Sequence, residues 1–192
     1  MEEKILLRRM IRQRRRALSK IEQQRASFAL IKHIKQHHLL RHSRHIAIYL
    51  PCNGEISLLP FLKNLTKNHQ IFLPIIKRKK MYFMRYVVGQ SLKKNRFNIP
   101  EPIGRFQPIY PAVLNLVFAP LVAFDDRGQR LGMGGGFYDR CFEYLRHRKH
   151  KKPALWGIAY DWQRVEHLNV QWWDIPLHGV ITDKRIYYFY EH

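Results

Sequence analysis

The stretch Leu121-Val-Ala-Phe-Asp-Asp-Arg-Gly-Gln-Arg-Leu-Gly-Met-Gly-Gly-Gly-Phe-Tyr-Asp-Arg140 carries the pattern that decides the fold. Leu121 to Phe124, with Leu114 to Phe118 before it, is apolar enough for a strand buried on both faces, as in a parallel sheet covered by helices. Asp125 to Gly128 supplies a polar turn. Gly132, Gly134, Gly135 and Gly136 then crowd a second turn, and a helix is predicted from Phe137 to about His147. Glycines ahead of a helix permit positive φ and close backbone approach, so successive N–H groups can cradle a phosphate at the positive helix end. No Gly-Lys-Ser/Thr follows, so this is not a Walker A loop, and the G-x-G-x-x-G spacing of a dinucleotide site is absent. Asp139 falls in the predicted first turn, where the dipole favours a carboxylate that could also hold Mg²⁺ beside phosphates. Residue chemistry leaves two readings open: a phosphate-binding loop, or a structural turn closed by an acid.

Outward from this stretch, strands alternate with helices. Residues 3 to 18 read as a basic amphipathic helix with Ile5, Met10, Ile11 and Leu18 as apolar positions and Arg8, Arg9, Arg12 and Arg15 around the remainder. Ser19 with Glu22 is a capping-box pattern opening a second helix to about Gln36. His45 to Leu50 is a strand ended by Pro51 and the Asn53-Gly54 turn, and Ser57 caps a predicted helix to about Lys67. Further strands are predicted at Gln70 to Leu73, Met81 to Val88, Ala154 to Ala159 and Gly179 to Thr182, with Tyr187 to Tyr190 as an edge strand or packed tail. Four prolines between 93 and 111 predict a long ordered loop. The alternation predicts an α/β fold, a three-layer α/β/α arrangement with a mostly parallel central sheet, in one domain spanning 1–192.

Composition narrows the classes. Hydrophobic residues make up 46% of the 192, far above a disordered chain and enough for a core without staples. The apolar run from Leu114 to Phe124 is interrupted by Asn115 and Pro120 and is too short for a membrane helix, so no membrane partner is expected. The acids at Glu2 and Glu3 and the lack of an apolar core argue against a signal peptide. Cys52 and Cys141 form no CxxC pair, which suits a reducing cytoplasm. The net charge of +21 favours anionic partners such as phosphates, nucleic acid or a polycarboxylate. Because Lys and Arg are dispersed rather than gathered in a recognition motif, a nucleic-acid partner is not expected.

Arg130-Leu-Gly-Met-Gly-Gly-Gly-Phe-Tyr-Asp-Arg140 resembles the signature of the 5-formyltetrahydrofolate cyclo-ligase (5,10-methenyltetrahydrofolate synthetase) family. Lys4 to Arg8, Tyr49 to Glu55, Asn95 to Pro102, Gly157 to Gln163 and Asp174 to Thr182 fall in the family's order, so the resemblance spans nearly the whole chain. It implies conversion of 5-formyltetrahydrofolate to 5,10-methenyltetrahydrofolate with ATP as co-substrate and Mg²⁺ as cofactor, releasing ADP and phosphate. The implied route transfers the γ-phosphoryl to the formyl oxygen, after which N10 attacks and phosphate leaves. Such a transfer needs positioning and charge neutralisation, and no catalytic protein nucleophile is expected. By position, the resemblance implies that Lys4, Ile5, Leu6, Leu7 and Arg8 contact ATP, as do Arg130, Leu131, Gly132, Met133, Gly134, Gly135, Gly136, Phe137 and Tyr138. It assigns substrate contacts to Leu50 and Glu55, with Glu55 bonding the pterin ring, and to Met133 through Phe137. Asp139 and Asp174 match its Mg²⁺ ligands. The substrate is 5-formyltetrahydrofolate, with or without a polyglutamate tail.

Three positions depart from the family pattern. His178 stands where a second acid is common, Asn98 where glycine is common, and Met133 where a basic residue is common. Two other features compete for attention. His33, His37 and His38 have spacing that could bind zinc, but no carboxylate or cysteine accompanies them, so an exposed helix face is expected. Trp172-Trp173 could stack a pterin, against the commoner arrangement of one core and one covering ring.

Overall fold

A computed structural model of the chain describes residues 2–104, 106–146, 152–169 and 171–189. Its elements are α1 (Glu2–Ala17), α2 (Lys20–Gln36), β1 (His45–Ala47), β2 (Gln70–Lys77), β3 (Lys80–Tyr86), β4 (Leu92–Lys94), β5 (Pro100–Pro102), β6 (Leu116–Pro120), β7 (Ala123–Phe124), β8 (Arg130–Leu131), α3 (Phe137–Cys141), β9 (Ala154–Ala159), β10 (Gly179–Thr182) and β11 (Ile186–Tyr188). Seven strands form the main sheet in the order β11-β10-β9-β6-β1-β2-β3. Pairing is parallel from β10 through β9, β6 and β1 to β2, and antiparallel only at the two edges, β3 and β11. The expected mostly parallel α/β sheet is therefore present, but of the two buried runs only the first enters it, as β6; in the second, Ala123–Phe124 pairs antiparallel with β8 in a separate two-stranded ribbon. Strand β6 sits at its centre with Leu116 to Ala119 buried, because apolar side chains on both pleat faces are stable only when both faces are covered.

One face is covered by α2, whose Ala26, Leu30, Ile31 and Ile34 meet Ile46, Ile48, Phe118 and Ile158. The Ser19–Glu22 capping box that starts α2 is formed in both directions, satisfying N–H groups the first turn leaves open. On the other face Ala47, Val117, Leu155 and Val180 meet Phe142, Ile175 and Leu177. This second layer is thin, built from α3, a 3₁₀ turn at Glu143–Arg146 and the 175–177 segment.

Several expectations are corrected. The helix predicted from Phe137 to about His147 stops at Cys141, and His147 lies outside the described residues, as do 148–151 and Tyr190. The Ser57-capped helix is only a 3₁₀ turn, Leu59–Asn64, with Pro60 at its start. The first strand ends at Ala47 rather than Leu50. Strand β2 does not stop before Pro74 but runs to Lys77. Pairing with β1 ends at Phe72, and Phe83 opposite Pro74 exchanges its backbone bonds with Ile109 instead, so no partner needs the missing Pro74 N–H. The proline-rich 93–111 stretch contains the β4–β5 ribbon. On α1, Ile5 and Met10 are exposed while Ile11 and Arg15 are buried, the reverse of the apolar-in pattern at Arg15.

Phe118 is fully buried and meets the Phe61 ring edge-on at 5.9 Å between centroids. Phe118→Ala is expected to lower the unfolding free energy by about 3–5 kcal/mol, read as a fall in the denaturant midpoint at unchanged slope.

Candidate functional site

Chain order places the site. From β1 the chain passes to β2 on one side, whereas β6, on the other side of β1, leads to β9 and β10. The connections leaving β1 and β6 diverge, and such a switch point opens a crevice beyond the carboxyl ends of the strands. Tyr49 and Leu50 after β1, and Pro120 at the end of β6, line a cleft there; Gly132 to Asp139 forms a second wall, and Asn95 to Glu101 a third. Its unfilled space is about 960 Å³, open mouth included.

The glycine wall is conformationally specific. Gly134 has φ 98° and Gly136 φ 60°, the left-handed region that side chains avoid. Gly135 is not in that region; its constraint is the Phe137 ring, which a Cβ would approach to 2.9 Å. Helix α3 has only five residues, so the dipole argument made for its N-terminus gives way to the glycine backbone itself as the anion cradle. Arg8 Nε donates to the Gly132 carbonyl at 2.8 Å, tying α1 to this loop. Lys4 is one turn away on the same helix and half-buried; Ile5 and Leu6 are exposed, and Leu7 packs against the cluster containing Leu131. Met133 is exposed and lines a groove with Arg8, Arg9, Arg12 and Arg16.

Arg130, its side chain 5% exposed, joins the loop to the segment before β10. Its Nη2 donates to Asp139 Oδ1 at 2.6 Å and its Nη1 to the Ile175 carbonyl, while the Ile175 N–H reaches the same Asp139 oxygen at 3.2 Å. Asp139 is thus bonded to the residue adjoining Asp174, which itself accepts from the Gln171 N–H at 2.9 Å. Among the described residues no three His, Cys, Asp or Glu side chains gather as a metal cage. Asp139 lines the cleft, whereas Asp174 is half-buried and stands outside that lining; a hard cation that keeps waters and takes other oxygens from substrate phosphates needs only one or two protein carboxylates.

At the cleft floor Glu55 is buried. Its Oε2 accepts the Cys52 N–H at 3.0 Å, and Oε1 lies 3.6 Å from Arg15 Nη1. Burial pushes the Glu55 carboxyl above its ordinary range, opposed by the Cys52 N–H and Arg15. Burial and Glu55 together push the Cys52 thiol up to about 11. Tyr49 and Tyr160 brace the turn, donating to the Ile56 and Gly54 carbonyls at 2.6 and 3.1 Å.

Sequence reasoning missed Arg15, Asn95 and Glu101. Glu101 Oε1 accepts from the Ile76 N–H and Asn95 Nδ2, both at 2.7 Å, fixing the third wall. The Asn95-to-Pro102 run was the available signal. For Arg15 there was none, because an arginine in a basic helix looks solvated. The other features have structural explanations. His33 Nδ1 lies 3.0 Å from the Thr182 carbonyl, and His37 packs between Trp156 and Tyr188; the His38 side chain is outside the described residues. His178 Nδ1 accepts the Leu155 N–H, and Asn98 takes φ 58° as glycine would. Trp172 and Trp173 are both exposed, so the arrangement of one core and one covering ring is not present.

The 5-formyltetrahydrofolate cyclo-ligase family model matches residues 1–183. A 5-formyltetrahydrofolate cyclo-ligase from Haemophilus influenzae is 36% identical over 177 residues, 90% of this chain and 93% of that protein. That of Escherichia coli K12 is 36% identical over 183 residues, 93% and 99% of the two chains. The NMR structure of Aquifex aeolicus 5,10-methenyltetrahydrofolate synthetase superposes with a TM-score of 0.83 at 30% identity, covering 98% of this chain and 94% of that one.

Glu55→Ala would leave Arg15 buried opposite no carboxylate. It is expected to cost about 3–5 kcal/mol of stability, measured by denaturant unfolding at pH 7; a loss below about 1 kcal/mol, the range of an exposed pair, would mean that the two groups do not interact.

Proposed function

The chain belongs to the 5-formyltetrahydrofolate cyclo-ligase family, and we propose that it cyclises 5-formyltetrahydrofolate to 5,10-methenyltetrahydrofolate with conversion of ATP to ADP and phosphate. The observation that carries this reading is the Arg8–Gly132 bond. It joins two segments far apart in sequence, Lys4–Arg8 and Arg130–Tyr138, beside a cleft whose floor holds a buried carboxylate.

In this reading Lys4 to Arg8 and the loop from Arg130 through Gly132, Gly134, Gly135 and Gly136 to Tyr138 bind ATP. The backbone N–H groups turned by Gly134 and Gly136 face the phosphates, and Arg8 closes over them. Leu50, Met133 and Phe137 line the folate side, and the Glu55 carboxylate accepts the N–H donors of the pterin ring. The formyl oxygen attacks the γ-phosphorus and ADP departs. N10 then adds to the formyl carbon and gives up its proton to solvent, the C–O bond breaks, and phosphate leaves with the former formyl oxygen. A formamide oxygen is a poor leaving group, which is why the phosphoryl must be attached before N10 can displace it. Asp139 and Asp174 would hold Mg²⁺, whose chemistry when bound is to neutralise charge on the phosphoryl oxygens. The protein contributes orientation and water exclusion rather than a nucleophile.

One domain over 1–192 and a cytoplasmic location go with this reading; among the described residues no helix is long and apolar enough to cross a membrane. The +21 charge attracts anionic substrates over a Debye length of about 8 Å at physiological salt, and a polyglutamate tail would strengthen that attraction. A nucleic-acid module is disfavoured because one arginine of the Arg12–Arg16 run is buried and two exposed ones are held by neighbouring side chains. Arg14 lies 4.2 Å over the Trp162 ring, Arg15 is buried, and Arg16 bonds Asn53.

With ATP, Mg²⁺ and 5-formyltetrahydrofolate, the purified protein is expected to generate the methenyl chromophore and equimolar ADP, and chelation should stop both. No product where a known family member turns over would end the assignment. Asp139→Ala should lower kcat by about 100-fold, the scale of losing one preorganised charge-stabilising group. Turnover close to wild type at limiting Mg²⁺ would make Asp139 only an anchor for Arg130.

A further inference from the structure

Arg15 is 1% exposed on the inner face of α1, one turn from the buried Ile11. A buried guanidinium loses solvation that only good partners restore. Here the partners are few. Nη1 donates to the Leu121 carbonyl at 3.3 Å and lies 3.6 Å from Glu55 Oε1, while Nε and Nη2 have no hydrogen-bond partner. An apolar side chain would fill the same space without that cost. What it could not supply is a fixed positive charge facing the carboxylate at the cleft floor.

We infer that Arg15 is a positioning residue of the cyclo-ligase reaction, holding the Glu55 carboxylate in the orientation that meets the folate ring. The inference rests on the proposed function, which makes Glu55 a folate contact. Two further contacts restrict the carboxylate to one arrangement. The Cys52 N–H and thiol occupy Oε2 at 3.0 and 3.4 Å, leaving Oε1 toward Arg15. The Arg15 backbone supports the same turn: a Cβ on Gly54, at φ 75°, would lie 2.4 Å from the Arg15 carbonyl oxygen, so the turn approaches α1 as only glycine can. Two turns earlier on α1, Arg8 bonds the Gly132 carbonyl. One rigid helix therefore sets the glycine loop and the Glu55 carboxylate in register with each other.

The ionisable groups facing Glu55 are Arg15 on α1, Cys52 in its own turn, Tyr49 after β1, Tyr138 on α3 and Tyr160 after β9. Burial raises the Glu55 carboxyl and Arg15 opposes that rise, so removing Arg15 moves its ionisation to higher pH. Folate binding that needs the ionised carboxylate then improves with rising pH, across a range where the wild-type profile is already level.

The test is steady-state kinetics on the full chain, varying 5-formyltetrahydrofolate and ATP separately, for wild type, Arg15→Met, Arg15→Lys, Glu55→Gln and the Arg15→Met/Glu55→Gln double variant. Arg15→Met should raise the folate KM by about tenfold or more, the range of one charge-assisted hydrogen bond, and leave the ATP KM within about twofold. Its folate kcat/KM should climb with pH to a higher midpoint than wild type. Arg15→Lys, which keeps a charge without the planar fork, should fall between wild type and Arg15→Met. Adding Arg15→Met to Glu55→Gln should change the folate KM little further, because the two act as one unit. If Arg15→Met does not fold, Arg15→Lys decides by the same KM split. A wild-type folate KM in the Arg15 variants, equal rises for both substrates, or multiplicative effects in the double variant would overturn the inference. Wild-type inactivity, or an unchanged folate KM in Glu55→Gln, would instead overturn the reading on which it rests.

Discussion

The parallel pairing of β1 with β6 is the constraint from which the site follows. Both strands are buried, so their backbone groups must be satisfied by neighbouring strands and their side chains by a layer on each face. Once they are adjacent and their connections leave in opposite directions, the chain cannot fill the space above their carboxyl ends. Tyr49 to Glu55 and Pro120 to Leu121 diverge there. The cleft is a consequence of topology, and the residues that line it had only to be placed on the loops it separates.

The N-terminal helix turns that cleft into two linked halves. It contributes little hydrophobic burial, with only Ile11 and Arg15 inside, and its attachment is correspondingly polar: Arg8 to the Gly132 carbonyl, Arg15 to the Leu121 carbonyl and Glu55, Arg16 to Asn53. Polar attachment gives direction where apolar packing would give only proximity. Arg130 plays the matching part on the opposite wall, holding Asp139 and the Ile175 backbone together. Basic side chains that composition alone assigns to a solvated surface are, at these positions, the internal fasteners of the site.

Sequence legibility tracked the range of the interactions involved. The start of α2 was readable because Ser19 and Glu22 satisfy each other within one turn. The runs forming β6, β9 and β10 were readable because burial on both faces leaves them apolar but for Thr182 at the end of β10. The glycine loop was readable as a backbone device, although the short α3 behind it removed the dipole from the argument. Failures came where a distant partner decided the outcome. Pro74 continues β2 because Phe83 bonds Ile109 instead. The 93–111 stretch becomes a ribbon because Glu101 bonds Ile76 and Asn95.

The sequence by itself determined the alternation of buried strands with helices, the capped start of α2, the glycine-rich turn and, through ordered matching segments, the family. These depend on residues close in the chain or on patterns that survive in one dimension. Only the tertiary structure decided which charges face inward. Arg15 and Arg14 are chemically identical neighbours, yet one lies buried against Glu55 and the other over the exposed side of Trp162. Helical phase separates neighbouring side chains by about 100°, and which phase meets the core is fixed by what docks against the helix. That docking surface comes from residues up to 166 positions away in the chain, beyond the reach of any local pattern.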